Sequence, residues 1–520
     1  MRKALVVLLT LVASAAPTAT AFAQKPDPSA AGPKAPTASQ VSNLLQEGLR
    51  TTAIFKHLGA FQGFADNHGD TRTSGTKGYD QSASYVVKQL KTYGFDVERQ
   101  KFDFDAFFQD APSAFEQTAP TPTTYVEDTE FTTMEFSGSG DVTAELIAVD
   151  VTLPPSAEPS SSSGCEAADF PASVSGGIAL MQRGTCDFGV KVQNAAAAGA
   201  IGSVIFNEGQ EGRTDVVAGT LGGAVTIPAV DTTFALGQTL SNGVLSGPTG
   251  TTAHIKTTTR VENLQTSNVI AESAGGNPKH VVMAGAHLDS VADGPGIQDN
   301  GSGSATLVEL ARQISKLDIE TPNKVRLAWW GAEEQGLIGS TEYVAGLSKK
   351  EAAKIPLYLN FDMIGSPNFA RLIYDGDGSA FKIPGPKGSA KIERTFAKHF
   401  EREGLESAET AFDGRSDYLA FIDAGIPAGG LFTGAEEIKT PAEQELFGGT
   451  AGVAFDPCYH QACDTIDNVS RRALKQMAPA VADAVARYAV STDSLGSGKK
   501  GGKARVAAVS SDYLGEHLRR

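Results

Sequence analysis

Residues 281–303 read Val-Val-Met-Ala-Gly-Ala-His-Leu-Asp-Ser-Val-Ala-Asp-Gly-Pro-Gly-Ile-Gln-Asp-Asn-Gly-Ser-Gly. The apolar run Val281–Ala286 is short and uninterrupted, as a strand buried on both faces requires, and the glycine-rich loop after it leads into a helical face carrying Leu307, Val308, Ala311 and Ile314. Two more such runs follow, Val325–Trp330 and Leu357–Phe361. Strands alternating with helices predict an α/β domain whose central sheet is flanked by helices. Open sheets of this kind bind ligands just beyond the carboxyl ends of their strands.

The residues at those ends carry chemistry. His287 and Asp289 follow the first strand, Asp299 sits in the glycine-rich loop, Glu333 and Glu334 follow Trp329-Trp330-Gly331-Ala332, and Asp362 follows Phe361. His460 lies between Cys458 and Cys463. Each alone has a plainer reading as a helix cap, a solvated loop residue or a satisfied polar group. Together they form an imidazole and carboxylate set without thiolates, which suits zinc, with cobalt or manganese as alternatives. Three carboxylate ligands and one hydroxide balance two divalent ions, whereas the same acids around no metal repel one another. Two metals polarise a carbonyl and acidify water, as amide hydrolysis at neutral pH demands. The loop at Asp299 lacks both the Walker lysine and a dinucleotide fingerprint, which argues against nucleotide binding.

Outward from this stretch the texture changes. Upstream, two helical patterns are expected, one on Val41, Leu44, Leu45 and Leu49 and one from Asp80 to a stop at Gly94, followed by an alternating strand with Phe95, Val97, Phe102 and Phe104. Residues 111–261 are rich in Thr, Ser, Gly and Pro with short β-like runs, which predicts a separate, mostly β module. The expected order is a signal peptide at 1–23, a linker or propeptide at 24–37, a first part of the main domain at 38–110, the insert at 111–261, the main domain at 262–490 and a basic tail at 491–520. At 520 residues the chain exceeds one core.

The start of the chain has the export pattern: Arg2 and Lys3, an apolar run from Leu5 to Val12, then Ala21-Phe22-Ala23 before Gln24. That run is too short for a membrane anchor, and no other stretch approaches about 20 apolar residues. Export into an oxidising compartment makes the four cysteines disulfide candidates. Three pairings are open, and proximity favours Cys165 with Cys186 and Cys458 with Cys463. A net charge of −16 repels phosphate backbones, so no nucleic-acid partner is expected.

At the residues above, and at Trp-Gly-Ala-Glu-Glu-Gln-Gly-Leu 330–337, Asn-Phe-Asp-Met 360–363, Gly-Arg-Ser-Asp-Tyr 414–418 and Cys-Tyr-His-Gln-Ala-Cys-Asp 458–464, the sequence resembles peptidase family twenty-eight of the metallopeptidases, the secreted di-zinc aminopeptidases. The resemblance implies the zinc-exopeptidase fold, a central mixed β-sheet flanked by helices. It implies that His287 and Asp362 hold one zinc, Glu334 and His460 the other, and Asp299 bridges them. Glu333 then matches the general base, Asp289 the acid beside the ligand histidine, Tyr459 an oxyanion-stabilising residue, and Gly414 and Arg415 substrate contacts. A cis peptide after Asp299 is implied as well. The segment around Cys165–Asn207 resembles a protease-associated domain inserted into the enzyme.

The expected activity is removal of single residues from peptide or protein amino termini. Met363 and Phe432 are candidates for an apolar pocket taking Leu-like or aromatic first residues. A carboxypeptidase or glutaminyl cyclase on the same scaffold, and a binding protein that lost catalysis, are the alternatives. Nothing in the sequence indicates calcium or fixes the oligomeric state.

Overall fold

The computed structural model describes residues 37–210, 213–217, 219–317 and 321–495. The expected signal peptide, all but Thr37 of the 24–37 segment and the tail from 496 lie outside the described residues. The opening stretch forms the strand Asn277–His287, which pairs in parallel with Asn323–Trp330 on one side and Leu357–Phe361 on the other. Ala428–Phe432 extends the parallel set, and Leu372–Tyr374 and Ala408–Thr410 close that edge.

Strand alternation divides the apolar side chains between two layers. Val282, Ala284, Ala286, Leu327, Trp329 and Leu359 face a core shared with Gly301–Leu317, Arg471–Val490 and the amino-terminal helices. Val281, Met283, Ala328, Trp330 and Tyr358 face the opposite way, against Tyr418 and Phe421. The mixed sheet is thus covered on both faces, as parallel pairing requires.

The first expected helix spans Ala38–Gly48, and the second spans Lys77–Thr92 behind a Thr76 cap, with Gly94 at φ +79° just after it. A further helix, Thr51–Asp66, buries Ile54, Leu58, Phe61 and Ala65 against Gly301–Leu317 and Lys77–Thr92.

The Thr- and Ser-rich region forms its own layers: strands Gly140–Ala148, Ile178–Gln182, Gly202–Phe206 and Ala229–Thr232 run parallel, with cores on both faces. Helices Phe188–Ala197 and Phe234–Ser241 pack beside them, and Cys165–Cys186 is a disulfide. Two long strands, Asp96–Ala119 and Gly247–Glu272, pair antiparallel from Asp96↔Glu272 to Ala119↔Thr252. They run unbroken through 110/111 and 261/262, where the composition changes, so one 14-stranded sheet serves both parts. Among the described residues no helix is long and apolar enough to cross a membrane.

Candidate active site

Parallel register brings the strand ends together. Trp330 lies opposite His287 and Asn360 opposite Gly285, so Glu333, Glu334 and Asp362 emerge beside His287. Asp299 enters from the loop preceding Gly301–Leu317, with its bond to Asn300 in the cis form. His460 enters from the loop that the Cys458–Cys463 disulfide closes.

The ligand candidates sort into two groups. His287 Nε2 lies 3.1 Å from Asp299 Oδ1 and 3.2 Å from Asp362 Oδ1. His460 Nε2 lies 3.4 Å from Asp299 Oδ2 and 3.1 Å from Glu334 Oε2. Each Asp299 oxygen therefore faces a different histidine and its carboxylate companion. Two atoms held at zinc's usual 2.0–2.1 Å in a tetrahedron stand about 3.3 Å apart, so both groups have the spacing such an ion imposes. Glu333 Oε2 is farther from His287 Nε2, at 3.9 Å.

Charge points the same way. Glu334 and Asp299 drive the His460 pKa up to about 10 against the opposing effect of burial, and the surrounding carboxylates raise His287 likewise. Buried acids at this density demand positive charge, which divalent ions supply. The buried Glu334 Oε1 has no hydrogen-bond partner. The residues present fit divalent metal such as zinc.

Supporting contacts fix these groups. Asp464 accepts the backbone N–H of Gln298 and of Asp299, both at 2.9 Å. Asn300 Oδ1 accepts the N–H of Gly303 at 2.9 Å and of Met363 at 3.2 Å, while its amide donates to Phe361 O at 3.0 Å, tying the Asp299 loop to the strand before Asp362. Ser416 Oγ donates to Asp362 Oδ2. The fully buried Arg72 donates to the carbonyls of Leu288, Pro295 and Gly296, bracing the two loops that carry Asp289 and Asp299. Ala332, Met363 and His460 have positive φ of 53°, 48° and 55°. Non-glycine residues in this region cost about 1–2 kcal/mol each and persist where their surroundings hold them.

Asp289 stands beside His287 without a hydrogen bond to it. Its Oδ1 is 3.7 Å from His287 Nδ1, too long for a hydrogen bond, and Nδ1 has no partner. Asp289 instead accepts the N–H groups of Glu333 and Glu334, both at 3.4 Å.

Burial pushes the Glu333 carboxyl well above the usual range, opposed by His287 and reinforced by Asp417, Glu334 and Asp362. Tyr459 stacks on His460 with ring centroids 3.8 Å apart, and burial raises its hydroxyl pKa, so the phenol keeps its proton. Arg415 Nη2 donates to the Tyr459 hydroxyl at 3.2 Å and Nη1 pairs with Glu436 at 2.8 Å.

A pocket of about 50 Å³ opens from this centre and is lined by Met363, Tyr374, Thr410, Arg415 and Phe432. The two apolar candidates and Arg415 thus share one cavity. Gly414 does not join them: it lines a neighbouring hollow with Leu337 and Leu419.

Sequence reasoning gave no role to Ser416, Asp417, Asp464 or Arg72. The first three lie inside the quoted motifs. Arg72 carries no local signal, because its partners stand more than 200 residues away. Asp417 is buried beside the centre, and burial pushes its carboxyl up to about 8.

Known proteins agree with this architecture. Residues 268–485 match the model of peptidase family M28 and residues 142–240 that of the PA domain. An aminopeptidase of Pseudomonas aeruginosa is 44% identical over 476 residues, covering 90% of this chain and 86% of that protein. Leucine aminopeptidase 2 of Trichophyton tonsurans is 41% identical over 467 residues, 89% of each. The solved aminopeptidase from Aneurinibacillus sp. strain AM-1 superposes with a TM-score of 0.67 at 28% identity, over 85% of this chain and 95% of its own. The fold and the likenesses together define a metallo-aminopeptidase with a peptide substrate. The chain belongs to peptidase family M28, with a PA domain inserted.

Proposed function

We propose that this enzyme is an exported aminopeptidase that binds two zinc ions and prefers large apolar first residues such as leucine. The observation that carries the metal pair is Asp299, whose two oxygens face His287 and His460 separately. His287 and Asp362 would hold one ion, Glu334 and His460 the other, with Asp299 between. Bound there, the ions would polarise the scissile carbonyl and acidify a water molecule.

The chain's own groups do the rest. Glu333 takes the proton of the attacking water and passes it to the departing amine, a task suited to a carboxyl whose pKa burial raises. The Tyr459 hydroxyl, already engaged by Arg415, donates to the carbonyl oxygen as it becomes negative. Glu333 and Asp362 face the free α-amine, which explains a demand for unblocked termini. Met363, Tyr374 and Phe432 give the first side chain an apolar surface.

A panel of aminoacyl reporters, assayed with and without chelator and alongside blocked and N-terminal-Gln peptides, tests this reading. Turnover of free leucyl substrates that chelation abolishes and zinc restores supports it. Activity confined to blocked or N-terminal-Gln peptides would instead support the carboxypeptidase or cyclase alternatives, and no zinc after native purification with no zinc-restored hydrolysis would support the receptor-like one. Amino-terminal sequencing of the exported protein, expected to begin at Gln24 or later, tests the leader.

A further inference from the structure

Glu333, Glu334, Arg415, Tyr459 and His460 border two cavities. The first is the small pocket ending on Tyr374, Thr410 and Phe432. The second, about 450 Å³, leads away from it between the PA insert and the peptidase layers, and Glu135, Phe136, Thr220 and Asp105 form its far side. An enzyme that cuts behind the first residue needs a small closed pocket for that residue and a larger passage for the chain beyond the bond. The candidate metal centre stands where these two spaces meet.

The charge of the larger cleft is one-sided. Glu135 lines it with no ion-pair partner among the described residues: burial raises its carboxyl above the usual range, opposed by a hydrogen bond from the Thr220 side chain and by the charge of His460. Asp105 is exposed, and its recorded contact is the neutral Asn263 amide at 2.9 Å. Of the cations in the lining, Arg415 is already held by Glu436 and the Tyr459 hydroxyl, and His460 by Asp299 and Glu334. Carboxylates that line a cleft without an ion-pair partner set up a field that attracts cations and repels anions.

Resting on the aminopeptidase reading, we propose that this cleft is the subsite for substrate residues downstream of the scissile bond, and that Glu135 and Asp105 make it select peptides with Lys or Arg at the second or third position. The insert then contributes directly to specificity. It reads the part of the peptide that leaves, while the small pocket reads the residue that is removed.

The test compares kcat/KM for Leu-Lys-Lys-Ala-amide and Leu-Glu-Glu-Ala-amide on the purified holoenzyme. Attraction of one and repulsion of the other by two partly exposed acids should separate them about ten-fold. The preference should shrink between about 0.05 M and about 0.5 M salt as screening grows. Replacing both acids, Glu135→Gln with Asp105→Asn, should bring the ratio close to one, and Glu135→Lys should reverse it. Because the ratio is taken within one preparation, any general loss of folding or metal cancels. A wild type that treats both peptides alike, or a double variant that keeps the wild-type ratio, overturns the proposal. Absence of turnover on a leucyl reporter with no downstream residues overturns the aminopeptidase reading itself, and the peptide ratio alone does not produce that result.

Discussion

Ser416 Oγ donates its hydrogen to one oxygen of Asp362, while the other oxygen of that carboxylate faces His287 Nε2 at 3.2 Å. The serine fixes the side of Asp362 turned away from the imidazole and leaves the inner oxygen aimed at the space a cation would fill. Ser416→Ala should therefore weaken metal binding about 10- to 100-fold, as loss of a ligand's supporting hydrogen bond typically does. Competition against a fluorescent zinc chelator measures this, and an unchanged affinity would remove Ser416 from any positioning role.

Glu333→Gln keeps the size and burial of the side chain and removes its proton-carrying capacity. Turnover of a leucyl substrate should fall by about 10²–10⁴, the span associated with general acid–base catalysis. The purified variant should retain the wild-type zinc content. Wild-type kcat in a zinc-replete variant would rule out the role assigned to this carboxylate.

Cys458 and Cys463 close a short loop around His460. Loop-closure entropy for so few residues is worth about 2 kcal/mol. The paired change Cys458→Ser with Cys463→Ser should lower the melting temperature and also release metal at a lower chelator concentration, since His460 loses its tether. A variant that melts earlier but holds metal as tightly as wild type would separate the disulfide from the site.

Asp483 joins the ends of the described chain. Its buried carboxylate accepts from Ser42 in the first helix, from Arg487 at 2.7 Å and from Arg402, and lies 3.3 Å from His399. Burial opposes its charge, but His399, Ser42, Arg487 and Arg402 outweigh it and hold the carboxyl below the usual range. Glu309 is similar, lowered to about 2 by His57, Arg312 and Gln313 against its own burial. For a carboxylate whose folded pKa is depressed, the stabilisation is complete above the unfolded value of about 3.9–4.3 and is lost as pH falls through the folded one. Asp483→Asn should cost about 3 kcal/mol near neutrality, because the surrounding cations lose their counter-charge. Urea denaturation at pH 7 and at successively lower pH should show the gap from wild type closing as acid protonates Asp483.

What the sequence revealed depended on how far apart the cooperating residues lie. His287, Asp299, Glu333, Glu334 and Asp362 sit at the ends of strands that announce themselves by continuous apolar runs, and His460 is marked by its flanking cysteines. Arg72 braces the same loops but lies in a polar turn with no pattern around it. The helix Thr51–Asp66 was not anticipated: Gly59 and Gly63 dilute its apolar repeat, and only packing between its neighbours shows why it forms. Alternation reveals the start of the strand Asp96–Ala119 as far as Phe104. Its later half resembles loop composition, because the partner that pairs with it, Gly247–Glu272, is more than 120 residues away in the chain.

Those two strands have a mechanical consequence. The insert is attached by a continuous hydrogen-bonded ribbon instead of a pair of flexible threads, so it cannot swing freely over the cleft. Any widening to admit a bulky protein terminus must bend or twist the ribbon along its length. Gln109/Ala111 and Ala111/Ala114, where the pairing register slips, are the natural places for that compliance. The insert is thus held to the peptidase layers by backbone pairing that extends from Asp96↔Glu272 to Ala119↔Thr252.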